Sequence, residues 1–155
     1  MVFPATFTSI DFETASRRPD SACQLGLVKV VQVATAQDVG RALNPLSVVG
    51  QIEGGIAQGL GLAVMEEIVQ INGTIRNASF TDYLLPTMLD MPDVVATLIE
   101  EPEPLAPLGA KGVGEPPCIS VTPAIAAAIR DALRQAGRPH RIDRVPVRPI
   151  DIADV

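Results

Sequence analysis

Tryptophan is absent from this sequence, tyrosine occurs once and phenylalanine four times. With so few rings to fill volume, any core has to be built from Val, Ile, Leu and Ala. The 47% apolar content is enough for one. Histidine also occurs once, and the two cysteines, Cys23 and Cys118, lie far apart. This chain alone therefore offers neither a disulfide framework nor a His/Cys metal cluster, and no metal ligand is assigned to it. Two reduced thiols fit a cytoplasmic protein. Long apolar runs are missing too: no stretch approaches the roughly 18 residues of a membrane span. The start, Met1-Val2-Phe3-Pro4, lacks a basic segment followed by an apolar one, so no secretory leader is expected. Positive charge is in the minority, with 12 Lys and Arg against 18 Asp and Glu and a net charge of −6. Without a basic stripe such a chain repels phosphate backbones, which speaks against nucleic acid as a partner. Arg138, His140, Arg141, Arg144 and Arg148 form the one basic cluster. It reads more readily as a solvated tail or an inter-subunit contact than as an anion site. A Ser-His-Asp triad would depend on His140, wedged between Pro139 and Arg141 in an extended tail, and is set aside.

Proline and glycine are abundant instead, 14 and 12 residues, and are spread among apolar segments. That is the pattern of a loop-rich folded body rather than a disordered chain. Alternation at Thr6, Thr8, Ile10 and Phe12 suggests a strand, followed by a polar loop from Asp11 to Ser21. The β-branched run from Gly26 to Ala36 predicts a second strand, ending in a turn at Gln37–Gly40. From Pro45 to Glu67, apolar residues recur at steps of three and four, as in a helix beginning with proline. Glycines at 50, 54, 55, 59 and 61 interrupt that helix. Each interior glycine costs a helix about 0.5–1 kcal/mol relative to Ala, so close approach of another backbone or a ligand is their expected reason. Asn72-Gly73 marks a hairpin within Val69–Ile75, Phe80–Leu85 is a short apolar segment, and Val94–Glu100 is another strand. Residues 102–117 hold five prolines and three glycines without periodicity, a loop of the kind that carries function. A helix with a narrow face of small residues is predicted over Thr122–Ala136, capped by Thr122 with Pro123 in its first turn, before an extended, helix-free tail. Strands and helices mix without regular βαβ alternation, so the fold class is α+β.

Three constellations carry chemical possibilities. Glu115 is followed by Pro116 and Pro117, which are expected to hold it extended and present its carboxylate from a stiffened loop, as a general base requires. Taken alone, a surface glutamate in a proline-rich turn is the commoner case. Upstream, Lys111, Gly112, Val113 and Gly114 offer consecutive amides and a cation, provided the glycines adopt the positive φ angles of an anion-binding concavity. Neither a dinucleotide fingerprint nor a P-loop is present. Gln51 and Gln58, seven residues apart, share a helical face among the glycines. Their amides donate and accept together, which suits a heterocycle or an oxo group as well as a plain helix surface.

Three segments stand out together: Asp38-Val39-Gly40-Arg41-Ala42-Leu43-Asn44-Pro45; Gly50-Gln51-x-Glu53-Gly54 with Gln58-Gly59-x-Gly61; and Lys111-Gly112-Val113-Gly114-Glu115-Pro116-Pro117. With Asp82-Tyr83-x-Leu85-Pro86-Thr87 and the Pro123 helix in order, the chain from about Gly26 onward resembles the molybdenum-binding subunit of the xanthine dehydrogenase and aldehyde oxidase family. The resemblance implies that residues 26–155 are the C-terminal part of a larger molybdopterin-binding domain, with 1–25 an extension of open role. It implies Glu115 as the base that deprotonates a molybdenum-bound hydroxyl, in the hydroxylation of an aldehyde or N-heterocycle with water as oxygen source. Gln51 would contact the cofactor near the metal, and Gly112, Val113 and Gly114, with Lys111, would lie beside its pterin, often in the cytosine dinucleotide form. Electrons would leave through iron–sulfur clusters to FAD on partner chains: an iron–sulfur subunit, an FAD subunit and a larger molybdenum-subunit chain. The other reading is an assembly module or fragment that binds no cofactor alone. The molybdenum and pterin content of the isolated chain discriminates the two.

Overall fold

The computed structural model describes residues 8–13, 27–137 and 141–152. The β-branched run forms the central strand β2, Leu27–Asp38, of a three-stranded sheet. Strand β1, Thr8–Glu13, pairs with it antiparallel, with a register shift between Ser9 and Ile10. Strand β1 thus runs through Glu13, beyond the expected start of the polar loop at Asp11, while Thr6 and the rest of that loop lie outside the described residues. On the other side β2 pairs in parallel with the segment Asp93–Ile99, from Gln32 opposite Asp93 to Asp38 opposite Ile99. That pairing carries β2 two residues past Ala36, through Gln37 and Asp38, where a turn was expected.

Helix α1 spans Pro45–Val64. Asn44 is extended, and its side chain accepts from the Ser47 N–H at 3.1 Å, satisfying one orphan donor of the first turn beside Pro45. The helix stops three residues before Glu67, because the N–H groups of Met65 and Glu66 both turn back to the Gly61 carbonyl. Its buried stripe, Ile52, Ile56, Leu60 and Ala63, follows the predicted spacing. Next comes the predicted hairpin, β3 Gln70–Ile71 and β4 Thr74–Ile75. Both central residues have positive φ, 49° at Asn72 and 77° at Gly73, as a tight two-residue hairpin turn demands. Residues 80–85 are irregular, and Asp93–Ile99 forms β5, the edge strand parallel to β2.

Helix α2 departs from expectation. It spans Pro116–Gln135, so it begins seven residues before Pro123, which lies inside it. Pro116 and Pro117 occupy the first turn, where missing N–H groups cost nothing. Thr122 is consequently not a cap; its hydroxyl donates to the Gly59 carbonyl on α1 at 3.0 Å. Of the expected small-residue face, Ile125, Ile129, Ala132 and Leu133 are buried, Ala128 is half-buried and Ala136 is exposed.

These elements enclose an aliphatic core: Val33 of β2, Ile52, Ile56 and Leu60 of α1, and Val121, Ile125, Ile129 and Leu133 of α2. The tail adds Ile142 and Val147, and the Val147 N–H donates to the Ala63 carbonyl at 2.8 Å. The tail is not wholly extended, since Pro149–Ile152 makes one helical turn, α3. Proline there starts a turn rather than preventing one. Helices and a mixed sheet, joined by a single crossover from β2 through α1 to β5, make the fold α+β.

Candidate functional site

The two long helices meet through bare backbone. A β-carbon placed on Gly55 would stand 2.8 Å from Cβ of Pro117, and one on Gly59 would stand 2.9 Å from Cβ of Val121. A step of four residues on α1 thus matches a step of four on α2, in the same sense. The helices therefore run parallel, with the first turn of α2 set beside the middle of α1. Gly55 and Gly59 are therefore explained by α2 itself. Gly50 and Gly54, on another face of α1, have no atom within 4 Å of where a β-carbon would stand.

This pairing brings the predicted site residues together. Gln51 lies one turn before Gly55, and Gly114 and Glu115 come directly before α2. A β-carbon on Gly114 would lie 4.0 Å from Nε2 of Gln51 and near nothing else. Around Gly112 there is open space as well. Gly112, Gly114 and Glu115 are exposed, whereas Val113 turns inward and packs on the core. Gln51 is exposed beside Gly114; Gln58 is exposed on the same helix, two turns further along.

Glu115 is the N-cap of α2, with φ −87° and ψ −37°. The extended conformation expected ahead of Pro116 is not adopted, because the Glu115 carbonyl must accept from Cys118 N and Ile119 N, at 3.0 and 3.1 Å, to start the helix. What holds the Glu115 backbone is thus the start of the helix, not an extended proline-stiffened loop. Its carboxylate makes no capping hydrogen bond and, among the described residues, has no ion-pair partner. Gly112 and Gly114 are not in the positive-φ region, so the anion-binding concavity is not formed there. In this loop it is Leu108 and Gly109 that have positive φ. What Gly112 and Gly114 contribute is the lack of a side chain.

Lys111 opens the loop, and its ammonium is engaged, Nζ lying 2.6 Å from Oδ2 of Asp38. Asp38 also accepts from the Gly40 N–H at 3.0 Å. The Lys111 ammonium, followed by that N–H, holds the Asp38 carboxyl below the usual carboxylate range, and Asp38 in turn raises Lys111. Asp38 carries no role in the sequence reading beyond its place in a motif. Asp-x-Gly is a legible turn signal, but the partner 73 residues away is not.

Elsewhere, the described arginines of the basic cluster are ion-paired, Arg141 with Asp143 at 2.9 Å, Arg144 with Asp151 at 2.8 Å and Arg148 with Glu67, while Arg138 is not among the described residues. His140 lies outside the described residues. Among the described residues no group of three or more His, Cys, Asp or Glu is placed to hold a metal ion. Among the described residues no helix is long and apolar enough to cross a membrane.

The arrangement is a free carboxylate at the start of a helix, a free amide beside the preceding Gly114, and glycine backbone open on the outside. Bare backbone of this kind fits a flat, heteroatom-rich ligand that can lie against main-chain amides. Residues 20–92 match the family model of the molybdopterin cofactor-binding domain. The chain is 39% identical over 121 residues to a xanthine dehydrogenase molybdenum-binding subunit of Escherichia coli, covering 76% of this chain and 16% of that protein. It is 41% identical over 126 residues to the gamma subunit of the 6-hydroxypseudooxynicotine dehydrogenase complex of Paenarthrobacter nicotinovorans, covering 80% and 16%. Among solved structures, quinoline 2-oxidoreductase of Pseudomonas putida 86 superposes with a TM-score of 0.76 at 39% identity, over 83% of this chain and 16% of that one. The chain thus spans about one sixth of the length of the relatives it matches.

Proposed function

The chain belongs to the molybdenum hydroxylase family, as a segment of the molybdenum-binding subunit, and on that premise we propose that Glu115 is the catalytic base of a shared active site. In this reading Gln51, Gly112, Val113 and Gly114, with Lys111, bind the molybdenum–pterin cofactor. The reaction is the oxidative hydroxylation of a small N-heterocycle or aldehyde, with water supplying the oxygen. The observation that carries the reading is that Gln51 Nε2 lies beside Gly114, the residue before the unpaired Glu115, at an open glycine surface.

When bound, the cofactor would supply two-electron oxidation and would acidify the water that provides oxygen. Glu115 takes up that water's proton on a carboxylate oxygen, and its helix-anchored backbone keeps the acceptor in place through turnover. Gln51 has both a donor and an acceptor free, so it can orient a polar ligand group against the adjoining backbone. Gly112 and Gly114 let the ligand approach their amides, while Val113 fastens the strip to the core. Lys111 sets where the strip begins.

Other polypeptide completes the site in this reading: a larger molybdenum-subunit chain, with iron–sulfur and FAD subunits as the electron route, in the cytoplasm. We take residues 26–155 as the C-terminal part of the cofactor-binding domain and leave 1–25 as an extension. Phe80, Met88 and Leu89 are 94%, 93% and 95% exposed, apolar surface that a covering chain would remove from water.

The test is Glu115→Gln in the assembled enzyme. Turnover is expected to fall by roughly 10²–10⁴-fold, with molybdenum and pterin content intact. Normal turnover in that variant would sink the assignment.

A further inference from the structure

We propose that Asp38 is a positioning residue for Glu115, acting through Lys111. The proposal rests on Glu115 being the base and adds the device that holds it in place. Glu115 hangs between two pins. Downstream, Pro117 is seated against Gly55 of α1. Upstream, the segment 109–111 is bound to the turn that follows β2. Arg41 N donates to the Gly109 carbonyl at 2.8 Å and Lys111 N donates to the Val39 carbonyl at 3.0 Å. Gly40 has φ +61°, and a β-carbon there would lie 2.8 Å from Lys111 N and 3.0 Å from Lys111 Cγ, with Gly109 O in contact too. The loop is packed onto bare backbone at this point.

Asp38 joins the two halves of that upstream pin. Through Oδ1 it holds its own turn by the Gly40 N–H, and through Oδ2 it holds the Lys111 ammonium at 2.6 Å. A charge-assisted contact this short is stronger and more directional than a neutral one. Only Gly112, Val113 and Gly114 separate Lys111 from Glu115, and two of the three are glycines with nothing packed around them except Gln51. Such a linker does not stiffen itself. Its course is set by its anchors: Val113 on the core, the start of α2 and the Asp38–Lys111 contact. Loss of the last therefore shifts the approach to Glu115, and proton transfer is sensitive to small displacements of the acceptor.

The decisive experiment compares the assembled enzyme with its Asp38→Asn, Lys111→Met and double variants. Amide hydrogen exchange across 109–115 is measured beside kcat, KM and molybdenum content. For Asp38→Asn the expected result is about fivefold faster exchange in 109–115, the scale of one partly exposed charged hydrogen bond. A fall in kcat with KM and molybdenum content unchanged should accompany it. The double variant is expected to be no faster in exchange than either single one, since both remove the same contact. Protection of α1 and α2 in the same data reports intact folding. Should a variant fold poorly, Asp38→Lys paired with Lys111→Asp restores the contact in reverse and should recover slow exchange. Unchanged exchange at 109–115 in Asp38→Asn, or additive effects in the double variant, overturns the proposal. An active Glu115→Gln enzyme would instead overturn the base assignment, whatever the exchange data show.

Discussion

Gly55 and Pro117 meet so closely that a β-carbon on the glycine would fall 2.8 Å from that of the proline. No ordinary carbon–carbon contact is that short, so the first turn of α2 can sit where it does only because residue 55 is glycine. Glu115 is two residues from Pro117 and Gln51 is four from Gly55. This one contact therefore sets the spacing of the two side chains assigned to the site.

Substituting Gly55→Ala is expected to force the helices apart and destabilise the fold by about 1–3 kcal/mol, the usual cost of overpacking. Gly54→Ala meets open space, and a better helix former there should stabilise the chain by about 0.5–1 kcal/mol. Urea unfolding of the two variants checks the contrast. If the cofactor lies against this face, the same Gly54→Ala enzyme should retain less molybdenum even though it folds better.

Gln51→Ala should leave stability within about 0.5 kcal/mol of the parent, because the side chain is exposed and makes no hydrogen bond within the described residues. Cofactor retention during gel filtration of the assembled enzyme should nonetheless drop. Full retention would remove Gln51 from the binding set.

Thr122→Val removes a part-buried hydroxyl that bridges the helices and leaves the Gly59 carbonyl without it. A loss of about 1 kcal/mol is expected, read as a lower urea midpoint with an unchanged slope. Were Thr122 a helix cap instead, Thr122→Asn would substitute well; here it should not.

The Asp38–Lys111 pair makes a prediction with a fixed sign. The Asp38 carboxyl is lowered, first by Lys111 and then by the Gly40 N–H, so its contribution is complete above its unfolded value. It fades as pH falls through the lowered folded value. Lys111 is raised, first by Asp38 and also by Glu103 and Glu101, so its share is complete below its unfolded value and fades as pH rises through the raised one. With unfolded values of about 3.9 and 10.4, the stability gap between parent and Asp38→Asn should be flat from about pH 5 to pH 9. It should close below about pH 4. A gap that widens toward acid would contradict the pairing.

Much of this was legible in the order of residues. The aliphatic core, the helix opening at Asn44-Pro45, the Asn72-Gly73 hairpin and the strand at 93–99 each follow from local chemistry: periodicity, capping and turn geometry act over a few residues. Helix α2 was misplaced for an equally local reason. Thr122-Pro123 has the local chemistry of a helix start, but the helix begins at Pro116, where Pro117 and Val121 find Gly55 and Gly59 to rest on.

By itself, then, the sequence determined what kinds of groups are available and where the backbone is stiff or bare: one glutamate before two prolines, glycines at 50, 54, 112 and 114, an amide at Gln51. Only the tertiary structure decided which glycines receive a neighbour and which stay open. It also decided that the first turn of α2 lies beside the middle of α1, near Gln51, and that Lys111 pairs with Asp38. The physical reason is range. Propensity and capping are settled within a helical turn, whereas contacts between residues 55 and 117 or 38 and 111 exist only once the core has closed around both.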